Sequence, residues 1–334
     1  KWMGLGMSAL LLIAALTGCG TTQQETASNE ISVSQTDSHY PVTVESYNYA
    51  GDVVTTTYEK APERVIAVYQ GSIETMLALG LEEHVVASYG LDNAVKEEWE
   101  DGLSKMNYHE EVFAPSKEDV MMLEPDMIFS WGSLFGEKKL GDVDQWISRG
   151  TNTYINTNTR AGGYDRTLEH EYTDILNIGK IFDVEEKAQA LVDEMKQEIE
   201  DALAKTKGKE AQTVSVIEFL NDDISNYSLA GDMITQLGGE LAAPDAKQVG
   251  KEDLVEQNPD VIFVVYMENS GDDGEDVKST CVAKVMEDPA FASLDAVKNG
   301  RVYPIMLGDM YASGARTIDG IRNFAAGLYP ELNQ

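Results

Sequence analysis

The chain has 334 residues, 43% hydrophobic and 25% charged, ordinary for a soluble globular protein and long enough for two domains with proper cores. Its formal net charge of −33 excludes a nucleic-acid partner, because phosphate binding needs clustered Lys and Arg, and reads first as solubility in an exposed location. Its two cysteines, Cys19 and Cys281, support no disulfide framework and no cysteine zinc site.

In chain order, an apolar run from Leu10 to Leu16 comes first and is too short to span a bilayer. It ends in Leu16-Thr17-Gly18-Cys19, which resembles the lipobox of a bacterial lipoprotein. That resemblance implies a signal peptide over residues 1–18 and a lipid on Cys19, which leaves Cys281 as a small buried residue. Residues 19–39 are rich in Thr, Gln, Ser and Asn and are expected to form a disordered tether.

Val42 to Tyr49 and Val53 to Tyr58 flank Ala50-Gly51-Asp52 and read as a hairpin. Arg64 to Val68 is a strand, and Gly71-Ser72 opens a helix stopped by Gly80. Val85 to Ser88 and Met127 to Trp131 are further strands, so β-α-β alternation predicts a parallel sheet covered by helices. Asp183-x-x-Glu186 reads as the capping box of an amphipathic helix that runs to Lys207 and is roughly 36 Å long. The pattern then restarts: a strand at Val214 to Ile217, a helix capped by Asp232, a strand at Val261 to Val265, and a last helix from Thr317 to Leu328. The acidic run from Gly271 to Asp276 reads as a solvated loop.

One block occurs twice. Lys117-Glu118-Asp119 leads through a short helix to Pro125-Asp126 and an apolar strand, and Lys251-Glu252-Asp253 leads likewise to Pro259-Asp260. The offset from Glu118 to Glu252 is 134 residues, the length of a lobe rather than of a solenoid repeat. The expected fold is therefore α/β: two Rossmann-like lobes with mainly parallel sheets, joined by one long rigid helix, with a ligand cleft between them. The lobes are placed at residues 40–175 and 209–334, with the linking helix in 176–208.

Loops that follow the carboxyl ends of strands face such a cleft. Those loops carry Tyr69, Gln70, Trp131, Tyr227, Tyr266 and Tyr311, aromatics suited to a bulky planar or chelate ligand. Arg160, on a Gly-rich loop, and Arg316, at the start of the last helix, are the candidates for gripping an anion through their forked donors. The histidines His39, His84, His109 and His170 show no paired-ligand spacing, so no direct metal site and no cofactor is expected.

Taken together, the lipobox, the Pro-Glu-Arg-Val-Ile-Ala-Val strand, the two Pro-Asp strands, the long helix and Asn299-Gly300-Arg301-Val302-Tyr303 resemble one family, from about Tyr40 to the end. It is that of the extracytoplasmic substrate-binding proteins of ABC importers for ferric siderophores, haem and cobalamin. The resemblance implies a monomeric carrier, lipid-anchored to the cell membrane, that captures an iron-siderophore-type chelate, with haem or cobalamin as alternatives. It also implies small closure on ligand, and a partner permease dimer with its ATPase, which Glu118 and Glu252 would address from the two lobes. The same two acids sit in first helical turns, where they offset the helix dipole. A lipid-anchored chelatase-like enzyme is the rival of another class, and a haem or adhesion lipoprotein without a permease is a third reading. The chain has no GxSxG elbow, phosphate-cradling loop or Cys–His pair apart from Cys281, so a binder and not an enzyme is expected.

Overall fold

The computed structural model describes residues 39–333 apart from 138, 163, 164, 222, 270 and 313. The signal peptide, Cys19 and the tether up to Ser38 lie outside the described residues.

A hairpin opens the fold, with β1 (Val42–Tyr47) antiparallel to β2 (Val53–Tyr58). It packs on the first lobe, where the Ile155 amide donates to the Ser46 hydroxyl at 2.9 Å. That lobe runs β3 (Val65–Val68), α1 (Gln70–Ala78), β4 (Val85–Tyr89), α2 (Glu100–Lys105), α3 (Lys117–Met122), β5 (Met127–Ser130), α4 (Val143–Ile147) and β6 (Asn152–Ile155). Its four strands are all parallel, in the order β4-β3-β5-β6.

Two helices follow, α5 (Leu168–Ile181) and α6 (Glu185–Thr206). They pack so closely that a Cβ on Gly179 would stand 2.4 Å from that of Ala188. The buried stripe of α6 is Ala188, Val192, Met195, Ile199 and Ala202, and α6 also packs against the last helix.

The second lobe runs β7 (Thr213–Leu220), β8 (Asp223–Asn226), α7 (Gly231–Gln236), β9 (Glu240–Leu241), α8 (Lys251–Gln257), β10 (Val261–Tyr266), α9 (Gly274–Met286), α10 (Asp295–Lys298), β11 (Val302–Met306), α11 (Leu307–Tyr311) and α12 (Thr317–Leu328). Strands β9, β7, β10 and β11 lie parallel in that order, and β8 turns back antiparallel on the end of β7. Both lobes thus share one order, in which the second strand lies outside the first and the third and fourth follow on its other side. Strands β3, β5 and β10 are buried along their whole length, which is why they read as continuous apolar runs.

The repeated block does the same structural work in both lobes. The Asp126 carboxylate accepts from the Glu63 and Arg64 amides at 2.8 and 2.9 Å, tying down the entry to β3. The Asp260 carboxylate accepts from the Thr213 amide and hydroxyl at 2.8 and 2.9 Å, at the entry to β7. The residue before each proline is left-handed, Glu124 at φ 45 and Asn258 at φ 43.

Five expectations are corrected. The box at Asp183 does not form: α6 is capped by Val184 without a side-chain bond, and Asp183 sits at φ 57 with its carboxylate 3.3 Å from His39 Nδ1. His39 belongs to the folded body and not to the tether, since its Nε2 donates to the Lys180 carbonyl at 2.7 Å. Asp232 does not cap α7; it accepts from the Leu168 amide at 2.7 Å, across the cleft at the start of α5. The acidic run is the start of α9, with Asp273 as its cap. The first lobe's boundary at residue 175 falls inside α5, so two packed helices, not one, carry the chain between sheets.

Candidate functional site

Tyr69 leaves β3 at φ 84, a conformation that L-residues avoid, and this turns its ring toward the gap between the lobes. Its hydroxyl donates to Asp92, and burial, reinforced by that carboxylate, pushes the phenol far above its ordinary pKa. Trp131 leaves β5 with its ring 4.2 Å from that of Tyr69. From the other lobe Tyr311 comes within 4.9 Å of Trp131, and Tyr227 lies 6.1 Å from Tyr311. The Trp131 indole N–H donates to the Ala312 carbonyl at 3.2 Å, so the aromatic cluster itself joins the lobes.

Arg166 completes the cluster and was not foreseen. Its guanidinium carbon lies 4.9 Å from the Trp131 ring and 4.6 Å from that of Tyr311, while Nη1 donates to the Tyr311 carbonyl at 2.8 Å. Burial lowers its pKa, with Tyr311 and Glu171 acting against that shift. Arg166 lies near the end of the same β6–α5 loop that carries Arg160.

The eight ligand candidates separate into groups. Tyr69, Trp131, Tyr227 and Tyr311 come together. Tyr266 ends β10, packed in the second lobe's core, where burial and then Asp309 raise its pKa. Arg160 lies over the Tyr47 ring of the hairpin at 5.1 Å, and its Nη1 donates to the Thr157 carbonyl at 2.9 Å; the structure does not bring it into the cluster.

Gln70 and Arg316 are fully committed to a buried seam between the lobes, which corrects their placing as ligand-facing groups. The Gln70 amide donates to Glu74 at 2.8 Å, and its carbonyl accepts from the Asp92 and Asn93 amides, both at 2.9 Å. Arg316, 4% exposed, meets the fully buried Glu74 at 2.6 Å and donates to the Ala94 carbonyl at 2.8 Å. Asn93 Oδ1 accepts from the Gly308 amide at 2.8 Å and so closes the same seam.

Glu118 and Glu252 are exposed in the first turns of α3 and α8. Cys281 is buried on α9 with its thiol donating to the Val264 carbonyl, and burial pushes its pKa up to about 11, so it is no nucleophile. Among the described residues, His39, Asp183 and Glu185 bring three potential ligand atoms within 4.8 Å of one another, at the α5–α6 corner.

The cluster brings aromatic faces and one planar cation between two sheets, while the Tyr69 and Tyr227 hydroxyls donate to Asp92 and Glu218. Those groups can bind and orient a bulky ligand. The family described as periplasmic binding protein matches residues 65–306.

The chain belongs to that family. Similar proteins include the ABC transporter substrate-binding lipoprotein YvrC of Bacillus subtilis, 27% identical over 98% of this chain and 97% of its own. The iron(3+)-hydroxamate-binding protein FhuD of Bacillus subtilis is 26% identical over 97% of this chain and 96% of its own. The crystal structure of a periplasmic binding protein from Veillonella parvula superposes with a TM-score of 0.80 at 31% identity, covering 88% of this chain and 93% of that one. In this periplasmic binding protein the family match runs from the first residue of β3 to the last of β11, taking in both sheets. Tyr311 and Arg316 lie beyond it, so their placing rests on geometry alone.

Proposed function

We propose that this protein is the extracytoplasmic substrate-binding lipoprotein of an ABC importer. It captures a ferric siderophore-type chelate between its lobes and delivers it to a permease dimer driven by an ATPase. The observation that carries this is the convergence of Tyr69, Trp131, Tyr227, Tyr311 and Arg166 from both lobes on one cleft. Aromatic walls cover the organic shell of a chelate, and a guanidinium reaches its oxygens, so iron is held by the siderophore and not by the protein. The name of the relative FhuD, an iron(3+)-hydroxamate-binding protein, supports this ligand class. Anchoring through Cys19, action as a monomer, and Glu118 with Glu252 as the contacts for the permease belong to the same proposal, as does the absence of catalysis.

Trp131 makes the test direct. Its fluorescence is titrated with ferric siderophores, haem and cobalamin. A ferric siderophore is expected to quench with Kd below ~10 μM, the range of a capture protein, and the other two far more weakly. Tighter binding of haem or cobalamin hands the ligand assignment to that molecule. Binding of none of the three overturns the carrier function.

A further inference from the structure

Arg166 of the cluster also lines a cavity of about 860 Å³ bounded by the β6–α5 loop and by residues from Ser228 to Asp245. Its walls carry Asp165 and Arg166 from the first lobe and Asp232, Glu240 and Asp245 from the second. The described lining thus holds four carboxylates, one guanidinium and no lysine. Arg166 is itself stacked on Trp131 and Tyr311 and donates to the Tyr311 carbonyl. Asp232 is partly engaged by the Leu168 amide, whereas Asp165, Glu240 and Asp245 are exposed. Beyond the cavity the whole chain adds a field of formal charge −33. Field lines from such a surface concentrate in a cleft with low-dielectric walls, so the sign there decides which ligands collect.

We propose that this cavity selects ferric chelates by charge, taking those that are neutral or carry a protonated amine and turning away multiply anionic ones. This rests on the carrier function above and narrows its ligand. Three singly charged hydroxamates balance one ferric ion and leave a neutral shell. Catecholates bring two charges each, so the ferric complex stays strongly negative and needs several cations around it. The cavity supplies one such cation and surrounds it with carboxylates, an arrangement that works as repulsion against the wrong ligand. A pendant ammonium, by contrast, finds the exposed carboxylates of Glu240 and Asp245 in the same lining.

The test uses the full mature chain and three probes: a ferric trihydroxamate with a free terminal amine, the same chelate N-acetylated, and a ferric tricatecholate. Trp131 quenching is read at low and at high salt. The amine form is expected to bind roughly five-fold tighter than the acetylated form at low salt, about the effect of one or two partly screened charge pairs, and the tricatecholate weakest of all. The gap should close at high salt and in the variant Glu240→Gln with Asp245→Asn, whose exposed positions are compatible with folding. Equal binding of amine and acetylated forms overturns charge selection, as does a gap that survives both salt and the double variant, or a tricatecholate that binds tightest. Those outcomes leave the carrier function standing. Failure of all three chelates to bind overturns both.

Discussion

At the scale of single residues, the Glu74–Arg316 pair holds the greatest stake. Both side chains are almost wholly buried, and the bond joins α1 to the start of α12 across the cleft. Burial pushes the Glu74 pKa up, and Arg316 pulls it back. Removing one partner strands the other, so Arg316→Met is expected to cost about 3–5 kcal/mol in urea unfolding, and the double variant Glu74→Leu with Arg316→Met clearly less. Equal losses in the two would mean that the charges are not coupled. Asp309 shares this pocket. Burial, followed by the opposing pull of Arg316 and the push of Asp319 and Glu74, leaves its pKa raised to about 7. Between the unfolded carboxylate value near ~4 and pH 7, the folded chain therefore holds a proton that the unfolded chain has lost. This group's stabilisation is full below about pH 4, drains as pH rises, and is gone above about 7. Asp309→Asn should flatten the fall in urea midpoint from pH 5 to 7.5; an unchanged slope would assign it to other acids. None of this was readable from the chain. Arg316 opens a helix in sequence like many surface arginines, and its partner lies 242 positions away.

At the scale of elements, the repeated block shows what a pattern can and cannot carry. Its helix, proline and apolar strand were legible, because strands covered on both faces read as unbroken apolar runs. The left-handed residue before each proline was not, and there the two copies differ in chemistry. Glu124 is exposed at φ 45, so Glu124→Gly is expected to gain about 0.5–1 kcal/mol by relieving a conformation that side chains resist. Asn258 at φ 43 instead exchanges two bonds with Asp295, donating to its carboxylate and accepting from its amide, both at 2.9 Å. Asn258→Gly should therefore lose about 1 kcal/mol. Thermal melts of the two variants that moved in the same direction would refute this account. Helix α5 escaped notice because its buried face includes Glu171 and Asp174, which interrupt the apolar stripe. Asp174 is held there by the Tyr154 hydroxyl at 2.8 Å and the Thr157 amide at 2.7 Å, partners supplied by β6 and the loop after it. Capping fails as a sequence signal for the same reason. Asp183 and Asp232 stand where caps belong, but His39 and Leu168 reach them from other segments.

At the scale of the whole molecule, the cross-lobe bonds limit how far the lobes can move. Trp131 to Ala312, Asn93 to Gly308, Asp232 to Leu168 and the buried Glu74–Arg316 pair would all have to break for wide opening. Small closure follows, and with it a nearly fixed separation between points on the two lobes. Glu118 and Glu252 occupy equivalent first-turn positions of the repeated block, so a body of this rigidity holds two exposed carboxylates, one on each lobe. A permease built of two like subunits can meet both at once, and each contact then sets orientation as well as affinity. If the acids served only the helix dipole, alanine there would cost about 0.3–1 kcal/mol of stability and nothing in transport. As docking contacts they would be truncated at about 2–5 kcal/mol each in binding to the permease. Glu118→Ala and Glu252→Ala alone are therefore expected to reduce uptake of the cognate chelate by cells, and together to lower it by more than about tenfold, with chelate affinity in solution unchanged. Wild-type uptake by the double variant would leave the two glutamates as first-turn acids that offset the helix dipole and move the permease contact to other surfaces of the same two lobes.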